Sequence, residues 1–255
     1  MKTIFIAPYR NVSIRYILST DIFNYLKKKK DLKIVIFLKE NDINYYRKKY
    51  GGQRIYFEDI KFNNVFKQLR SIYGSFFNFI RLYMYGRNGN VINTTPMVWD
   101  YQYVKEMKNS GFKRKCQFQV AKIIGKICNR SKLLRKIIVF LESKILNGEI
   151  YDDYFIKYEP VLLITSSVGY MIDPFIMRSA KRKNCKVLSI VHSWDNPTTK
   201  PYRGASPDYV VAWNKIMKQE LIDFQEIDKE KIYIGGIAHW DTYFDGTILN
   251  GPPFF

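Results

Sequence analysis

Short apolar runs alternate with segments of helical periodicity at the start of the chain. The runs Lys2–Ala7 and Leu32–Leu38 predict buried strands, and apolar positions three and four residues apart predict a helix over residues 13–29 between them. A second helix is predicted over 41–50 and a third strand over 54–57. Strands that alternate with helices are typical of a parallel sheet with crossover connections.

The same alternation returns in the last third of the chain. Further strands are predicted over residues 160–166, 186–191, 209–213 and 232–235. Helices are predicted over 173–182, with Pro174 in the first turn, and over 214–224. We therefore predict an α/β, Rossmann-like domain with a parallel sheet and flanking helices over residues 1–245. Residues 246–255 are predicted to be a linker.

A basic segment over residues 59–150 interrupts this rhythm and is predicted to be a helical insertion or a helical face packed on the sheet. Helical periodicity covers 62–85 and 101–146, with a loop predicted at 86–97. Over residues 61–149, 17 Lys and Arg stand against 4 Asp and Glu, so this segment carries +13 of the net charge of +19. A basic surface attracts anionic lipid, nucleic acid or phosphorylated substrates. The alternative is a lysine-rich bias that only solvates the helices.

The composition is that of a folded protein without a leader or a membrane span. Of the 255 residues, 47% are apolar and 25% are charged, which excludes wholesale disorder. The first apolar stretch is too short for a signal peptide, and no window approaches the roughly 18–20 uncharged apolar residues of a spanning helix. Cys116, Cys128 and Cys185 show neither a pairing pattern nor metal-ligand spacing, which favours free thiols in a reducing compartment. We therefore predict a cytoplasmic protein, either free or peripheral at the inner face of the plasma membrane.

Several motifs of common enzyme classes are absent from the sequence. There is no G-x-x-x-x-G-K-[ST] loop, no G-x-G-x-x-G, no H-E-x-x-H, no Cys/His zinc pattern and no G-x-S-x-G elbow. Their absence argues against oxidoreductases, classical NTPases and zinc hydrolases. We predict no metal and no cofactor.

Polar side chains gather where the predicted strands end. In a doubly wound sheet, ligands bind in the crevice beyond the carboxyl ends of the strands. The loop after the first strand carries Arg10 and Asn11. Ser166 and Ser167 follow the fourth strand and precede a helix, so their N–H groups are candidates to bind an anion. The loop after the fifth strand is the densest and carries His192, Ser193, Trp194, Asp195, Asn196, Thr198, Thr199 and Lys200, with Arg203 shortly after.

These residue types predict a phosphate-bearing substrate and a proton transfer. Asp195 or His192 is a candidate general base towards a sugar hydroxyl. Lys200 and Arg203 are candidates to neutralise phosphate. The alternative is that Asp195 only forms a turn and that His192 is hydrogen-bonded to the backbone. For His239, after the last strand, a structural role is favoured.

Three segments between residues 160 and 245 resemble the end of the N-terminal domain of GT-B glycosyltransferases. They are residues 187–200, which contain HSWDNPTTK, residues 208–220, which read DYVVAWNKIMKQE, and residues 228–241, which read DKEKIYIGGIAHWD. The likeness is strongest to bacterial enzymes that build capsule, O-antigen or teichoic-acid-type polymers.

The resemblance implies one half of a two-domain glycosyltransferase. In that family the N-terminal domain holds the acceptor, here a glycan or a lipid-linked acceptor, and the C-terminal domain binds the nucleotide-sugar donor. The donor site is therefore expected on a missing second domain or on a separate chain, and this chain alone is expected to be inactive. A domain of a nucleotide-sugar epimerase or of a glycerophosphotransferase is an alternative, because those enzymes have a related architecture.

In such an enzyme, the basic and aromatic residues of the middle segment are expected to rest on an anionic membrane that presents the acceptor. The residues proposed for this contact are Lys67, Arg70, Tyr73, Phe76, Phe77, Phe79, Arg81, Tyr83 and Arg87. A non-catalytic nucleic-acid-binding domain, driven by the +19 charge, is the remaining alternative. It is disfavoured because the predicted strands are apolar and the basic residues lie on predicted helices.

Overall fold

The computed structural model describes residues 1–84, 105, 107–146 and 148–243. Within these residues, seven parallel strands form one sheet in the order β3-β2-β1-β4-β5-β6-β7. Their bounds are β1 Lys2–Ala7, β2 Leu32–Leu38, β3 Ile55–Asp59, β4 Pro160–Thr165, β5 Lys186–Ile190, β6 Tyr209–Ala212 and β7 Ile232–Ile234. The strand order reverses between β1 and β4. The predicted α/β fold with a parallel sheet is thus confirmed.

Helices cover both faces of this sheet. Their bounds are α1 Asn11–Leu18, α2 Asp21–Lys28, α3 Glu40–Tyr50, α4 Phe62–Arg70, α5 Ile72–Leu82, α6 Phe112–Cys128, α7 Lys132–Ile145, α8 Asp152–Tyr158, α9 Asp173–Arg182, α10 Asn196–Thr199 and α11 Lys215–Gln225, with short 3-10 helices at Gly148–Tyr151, Lys229–Lys231 and Ala238–Tyr243. None of the helices in the described ranges is long and apolar enough to cross a membrane. The predicted loop at 86–97 and the predicted linker at 246–255 lie outside the described residues.

The single helix predicted over residues 13–29 is two helices, α1 and α2. They are separated at Thr20, whose backbone is extended with φ −128° and ψ 170°. The hydroxyl of Thr20 donates to the carbonyl oxygens of Tyr16 and Ile17, each at 3.1 Å. A short polar side chain that bonds back to the helix in this way competes with its continuation.

Each of the two long helices predicted for the middle segment is also interrupted, in both cases at a serine. Ser71 separates α4 from α5 and accepts a hydrogen bond from the N–H of Gly74 at 3.1 Å. Ser131 separates α6 from α7 and accepts from the N–H of Leu134 at 3.4 Å. Serine is a favoured residue at a helix N-terminus because its hydroxyl satisfies an N–H that lacks an intrahelical partner.

Side chains of the central strands alternate between two buried clusters on opposite faces of the sheet. Phe5 and Phe37 enter the cluster covered by α5, α6 and α9, with their ring centroids 4.9 Å apart. Ile4 and Ile6 enter the cluster covered by α1 and α2. Coverage of both faces is what a parallel sheet requires. The described helices of the middle segment therefore form a helical face packed on the sheet. Because both faces of the central strands are covered, these strands expose no surface on which nucleic-acid bases could stack.

The surface predicted to face a membrane is in large part buried in this core. Phe77, Phe79 and Tyr83 belong to the cluster over Phe5, and Arg81 is only 1% exposed. The prediction is wrong for these residues because their side chains face the sheet, whereas Tyr73 of the same helix is 62% exposed. Arg87, also predicted to face the membrane, lies outside the described residues.

Arg81 belongs to a buried triad in which it shares the carboxylate of Glu142 with Arg178. The Nε atom of Arg81 lies 3.0 Å from Glu142 Oε2, and an Arg178 terminal nitrogen lies 3.1 Å from Glu142 Oε1. The two arginines also donate to the carbonyl oxygens of Tyr202 and Gly204, at 2.9 and 2.8 Å. The triad thus joins α5, α7 and α9 to the loop that follows Lys200.

Candidate functional site

A cavity of about 380 Å³ opens at the carboxyl end of the sheet, where the strand order reverses. Such a reversal is the usual ligand position in an open α/β sheet. The cavity is lined by Arg10, Phe66, Leu69, Arg70, Ser75, Asn78, Phe79, Leu82, Arg114, Tyr170, Met171, Lys200 and Pro201. Four of these residues, Arg10, Arg70, Arg114 and Lys200, are basic, and none is acidic. The four come from separate parts of the chain, and α4 and α5 supply an apolar wall.

The positive charges in this cavity act on one another. Burial lowers the pKa of Lys200, and the charge of Arg10 lowers it further, against the opposing attraction of Asp195. The Nζ atom of Lys200 is 3.9 Å from Asp195 Oδ2. A cavity with an excess of positive charge and partly desolvated walls favours an anionic ligand. Lys200 and Arg10 were predicted as site residues from the sequence, Arg70 was predicted only as a membrane contact, and Arg114 was not predicted.

His192 is 9% exposed and is not one of the residues that line this cavity. Its Nδ1 atom is 2.5 Å from the carbonyl oxygen of Ser166. A carbonyl oxygen only accepts, so Nδ1 carries a proton and, in the neutral ring, Nε2 has the lone pair. Burial lowers the pKa of His192, and this outweighs the hydrogen bond to Ser166, which raises it. The expected backbone hydrogen bond is present, and the role of general base stays a prediction.

Asp195 is held by its own loop. Burial raises its pKa, but hydrogen bonds from Ser193 and Thr199 and the charge of Lys200 together bring the pKa below its ordinary value. Thr199 Oγ1 lies 2.8 Å from Oδ2, and Ser193 donates to Oδ1. The carboxylate therefore stabilises the turn into α10, and the same bonds weaken it as a base. Its catalytic role stays a prediction.

Asp173, which sequence reasoning missed as a site residue, is a fully buried carboxyl group in the first turn of α9. The hydroxyl of Ser167 donates to its Oδ2 atom, while Oδ1 is buried with no hydrogen-bond partner in the described part of the chain. Desolvation raises the pKa of Asp173 to about 7, against the lowering effects of Ser167 and Arg10. An aspartate at a predicted helix start is usually exposed, so no local pattern indicated this burial.

The loop after β4, which contains Ser166 and Ser167, is held by hydrogen bonds within the loop itself. Ser167 Oγ accepts hydrogen bonds from the N–H groups of Gly169 and Tyr170, at 3.3 and 3.2 Å. Ser166 and Ser167 are both buried, and neither lines the cavity. The hydroxyl of Ser167 thus takes up the N–H groups of Gly169 and Tyr170, and the anion site predicted at the N–H groups of Ser166 and Ser167 is not part of the cavity lining.

The structure separates several predicted site residues from the cavity. Arg203 lies in another cavity, formed with α7 and α9. Asn11 lies in a shallow hollow beside Tyr46 and Tyr50 of α3. The ring of His239 packs against Tyr16, with centroids 4.8 Å apart, which agrees with the structural role expected for it.

The other residues of the loop after β5 differ in exposure. Trp194 is 72% exposed, whereas Asn196 is buried and its carbonyl oxygen accepts from the Tyr170 hydroxyl at 2.9 Å. Thr198 donates to the carbonyl oxygen of Asp195 at 3.3 Å. The loop is therefore anchored next to the cavity wall at Tyr170.

Comparisons with known proteins assign no family to this chain. No protein-family model matches it, and no curated protein matches it. Among solved structures, it is similar to the UDP-GlcNAc 2-epimerase from Methanocaldococcus jannaschii, with 11% sequence identity and a TM-score of 0.42. The similarity covers 96% of this chain and 48% of that chain, so this chain spans about half the length of the epimerase. The fold class follows from the strand order and the parallel pairing themselves.

The described residues do not form a metal-binding site. Nowhere in the described ranges do three or more His, Cys, Asp or Glu side chains come together as a group that could hold a metal ion. The residues that line the cavity offer cationic side chains, hydroxyl groups and one amide group.

Replacing Asp173 by asparagine is expected to flatten the pH dependence of stability between about pH 4 and 7. The wild-type carboxyl is protonated when folded, up to a pKa of about 7, and ionised when unfolded above its ordinary value near 3.8. The unfolded state therefore binds fewer protons, and stability falls as pH rises through this window, by about 1.4 kcal/mol per pH unit. The amide of the variant cannot titrate. Urea unfolding of both proteins across this range measures the difference, and parallel stability curves would contradict the raised pKa.

Proposed function

We propose that this chain is the acceptor-side half of a GT-B-type glycosyltransferase that acts in the synthesis of a surface polysaccharide. The nucleotide-sugar donor would be bound by a second domain or a partner chain. The observation that carries this proposal is the cavity at the strand-order reversal, where four basic side chains face an apolar wall.

The lining of the cavity favours a ligand that combines phosphate with an apolar group. Arg10 and Lys200 supply charge from the loops after β1 and β5, and Arg114 adds a guanidinium group from α6. Guanidinium and ammonium groups form strong, charge-assisted hydrogen bonds to phosphate oxygens. Phe66 and Leu69 of α4 offer an apolar surface on the other side. A lipid-linked acceptor with a diphosphate has both chemical features.

In the proposed reaction, His192 is the general base. Its Nε2 atom takes the proton of an acceptor hydroxyl while that oxygen forms a bond to the anomeric carbon of the donor sugar. The bond from that carbon to the nucleoside diphosphate breaks, and the nucleoside diphosphate leaves with its electron pair. His192 is favoured over Asp195 for this role because the imidazole is neutral, whereas Asp195 is stabilised as a carboxylate by Ser193 and Thr199.

Replacing Lys200 by methionine is expected to weaken binding of farnesyl diphosphate, a soluble probe with a diphosphate and an apolar chain. Loss of one charge-assisted hydrogen bond weakens binding by about 10- to 100-fold. Isothermal titration calorimetry on the purified chain measures the affinity, with farnesol and inorganic pyrophosphate as separate ligands. We expect both to bind more weakly than farnesyl diphosphate, because each lacks one of the two features.

Lys229→Met is the matched control, because Lys229 is an exposed lysine that pairs with the neighbouring Glu230 at 3.8 Å. It should bind the probe as the wild type does. Equal affinity of the wild type and Lys200→Met, or equal affinity for farnesol and its diphosphate, would contradict the proposal.

A further inference from the structure

Helix α7 has an unusual distribution of side chains. Its fully buried residues are Arg135 and Glu142, which are both charged. Ile138 and Val139 are partly buried against the core cluster over Phe5, whereas its other large apolar residues are exposed by 36–66%: Leu133, Leu134, Ile137, Phe140, Leu141 and Ile145. We call these six residues the α7 face. A helix of an isolated soluble domain buries its apolar stripe, so an apolar face of this extent indicates a surface that something else covers.

The surroundings of the α7 face are positively charged. In the segment that forms α6 and α7, the only carboxylate is Glu142, which is buried between two arginines. The exposed charged residues there are Lys113, Lys115, Lys126, Arg130, Lys132, Lys136 and Lys144. Apolar side chains bordered by lysine and arginine, with no exposed carboxylate, are complementary to an anionic lipid surface.

A second cavity, of about 440 Å³, lies beside the α7 face, between α7, α9 and residues 202–206. Six basic residues line it and no acidic one does: Lys136, Lys144, Arg178, Lys181, Arg182 and Arg203. Two of them have partners elsewhere, because Arg178 pairs with Glu142 and Arg182 pairs with Asp152 at 2.6 Å.

Arg203 is the residue of this cavity that most needs a ligand. It is only 7% exposed, and one terminal nitrogen of its guanidinium group is buried with no hydrogen-bond partner in the described part of the chain. Its Nε atom donates to Ser206 at 2.9 Å. A buried, unpaired guanidinium N–H is unfavourable, and a phosphate oxygen would satisfy it.

We propose that α7 docks on an anionic lipid bilayer and that the phosphate of a lipid headgroup enters the second cavity, where it contacts Arg203. The α7 face and this cavity share an edge, because Lys136, Phe140 and Lys144 line the cavity from α7. Acyl chains and headgroup would thus meet adjoining surfaces of one helix. This proposal does not depend on the proposed function, since it concerns a different cavity and a different ligand.

Sedimentation with vesicles tests the proposal. The purified chain is expected to bind phosphatidylcholine vesicles that contain phosphatidylglycerol, and to bind pure phosphatidylcholine weakly. Replacing Leu133 and Phe140 by serine, at 66% and 58% exposure, should abolish binding without unfolding the protein. Ile156→Ser with Tyr45→Ser, at 65% and 62% exposure on α8 and α3, is the matched control and should bind as the wild type.

The charge contribution is tested with a second pair of variants. Lys136→Gln with Lys144→Gln should weaken binding by about fivefold for each lysine removed. Lys48→Gln with Lys49→Gln, on α3 at the opposite face of the sheet, should bind as the wild type. Arg203→Gln should weaken binding as well. If that variant fails to fold, the lysine pair alone decides the role of the cavity.

Three results would overturn the proposal. The first is equal binding to vesicles with and without phosphatidylglycerol. The second is thermal stabilisation by inorganic phosphate with no vesicle binding, which would make free phosphate the ligand. The third is a dimer in solution that the change of Leu133 and Phe140 to serine dissociates, again with no vesicle binding, which would make a second copy the partner of the α7 face.

Discussion

Replacing Glu142 by alanine is expected to lower the free energy of unfolding by about 3–5 kcal/mol. The carboxylate is buried between Arg81 and Arg178, at 3.0 and 3.1 Å, and both arginines are themselves buried. Its removal leaves two guanidinium groups that repel each other with no anion between them. Domains of this kind have a total stability of only about 5–15 kcal/mol, so the loss is a large fraction of it.

Thermal and urea unfolding of Glu142→Ala measure this loss. The variant Glu142→Gln shows how much of the loss comes from the negative charge and how much from the space that the side chain fills. The glutamine keeps the size of the side chain and removes only the charge, so most of the destabilisation should remain. Glu230→Ala is the control. Glu230 is exposed and pairs with Lys229 at 3.8 Å, and such a surface pair contributes less than about 1 kcal/mol. Equal stability of the Glu142 and Glu230 variants would show that the triad is not needed to hold α5, α7 and α9 together.

Replacing Gly169 by alanine is expected to lower the free energy of unfolding by about 2–5 kcal/mol, from backbone strain and overpacking together. Gly169 has a φ angle of +100°, which residues with a side chain rarely adopt. A Cβ atom at this position would lie 2.7 Å from the carbonyl oxygen of Ala205. The N–H of Gly204 donates to the carbonyl oxygen of Gly169 at 2.9 Å, so the two loops are held in close contact. Tyr170 and Met171 follow directly and line the cavity. Binding of farnesyl diphosphate should therefore weaken as well.

Substitutions at two other glycines distinguish the cost of backbone strain from the cost of overpacking. Gly236 has φ +75° but open space around its Cα, so Gly236→Ala should show backbone strain alone, about 1–2 kcal/mol. Gly111 has neither a positive φ nor a close neighbour, and Gly111→Ala should cost only the weaker N-cap of α6, less than about 1 kcal/mol. Urea unfolding of the three variants gives the comparison. If Gly169→Ala were no worse than Gly236→Ala, the contact with Ala205 would have no energetic importance.

The strands could be predicted from the sequence to within one or two residues because each contains a short, mainly apolar run, such as Leu32–Leu38, between polar segments. The position of the site followed from the sheet, since ligands of this fold bind beyond the carboxyl ends of the strands. Arg10 and Lys200 were found in this way. Arg70 and Arg114 were not, because helical periodicity does not show which end of a helix is brought to the sheet.

The orientation of individual side chains was the part that the sequence could not supply. Arg203 follows Lys200 by three residues, and both were expected to neutralise phosphate at one site, yet the structure places them in different cavities. Phe77 and Phe79 were expected on a membrane surface and are buried against the sheet. In each case the outcome depends on packing between segments distant in the chain, which local patterns do not record.

The pairing of β1 with β4 has a consequence for the synthesis of this protein. Phe5 is registered against Leu163, and Ile6 against Ile164, so β1 acquires one of its two neighbours only once β4, which begins at Pro160, has been made. Until then, one edge of β1 has unpaired backbone groups beside apolar side chains, a combination that favours association between chains. A nascent chain released before β4 emerges is therefore expected to be prone to aggregate, because that edge of β1 would have no partner strand.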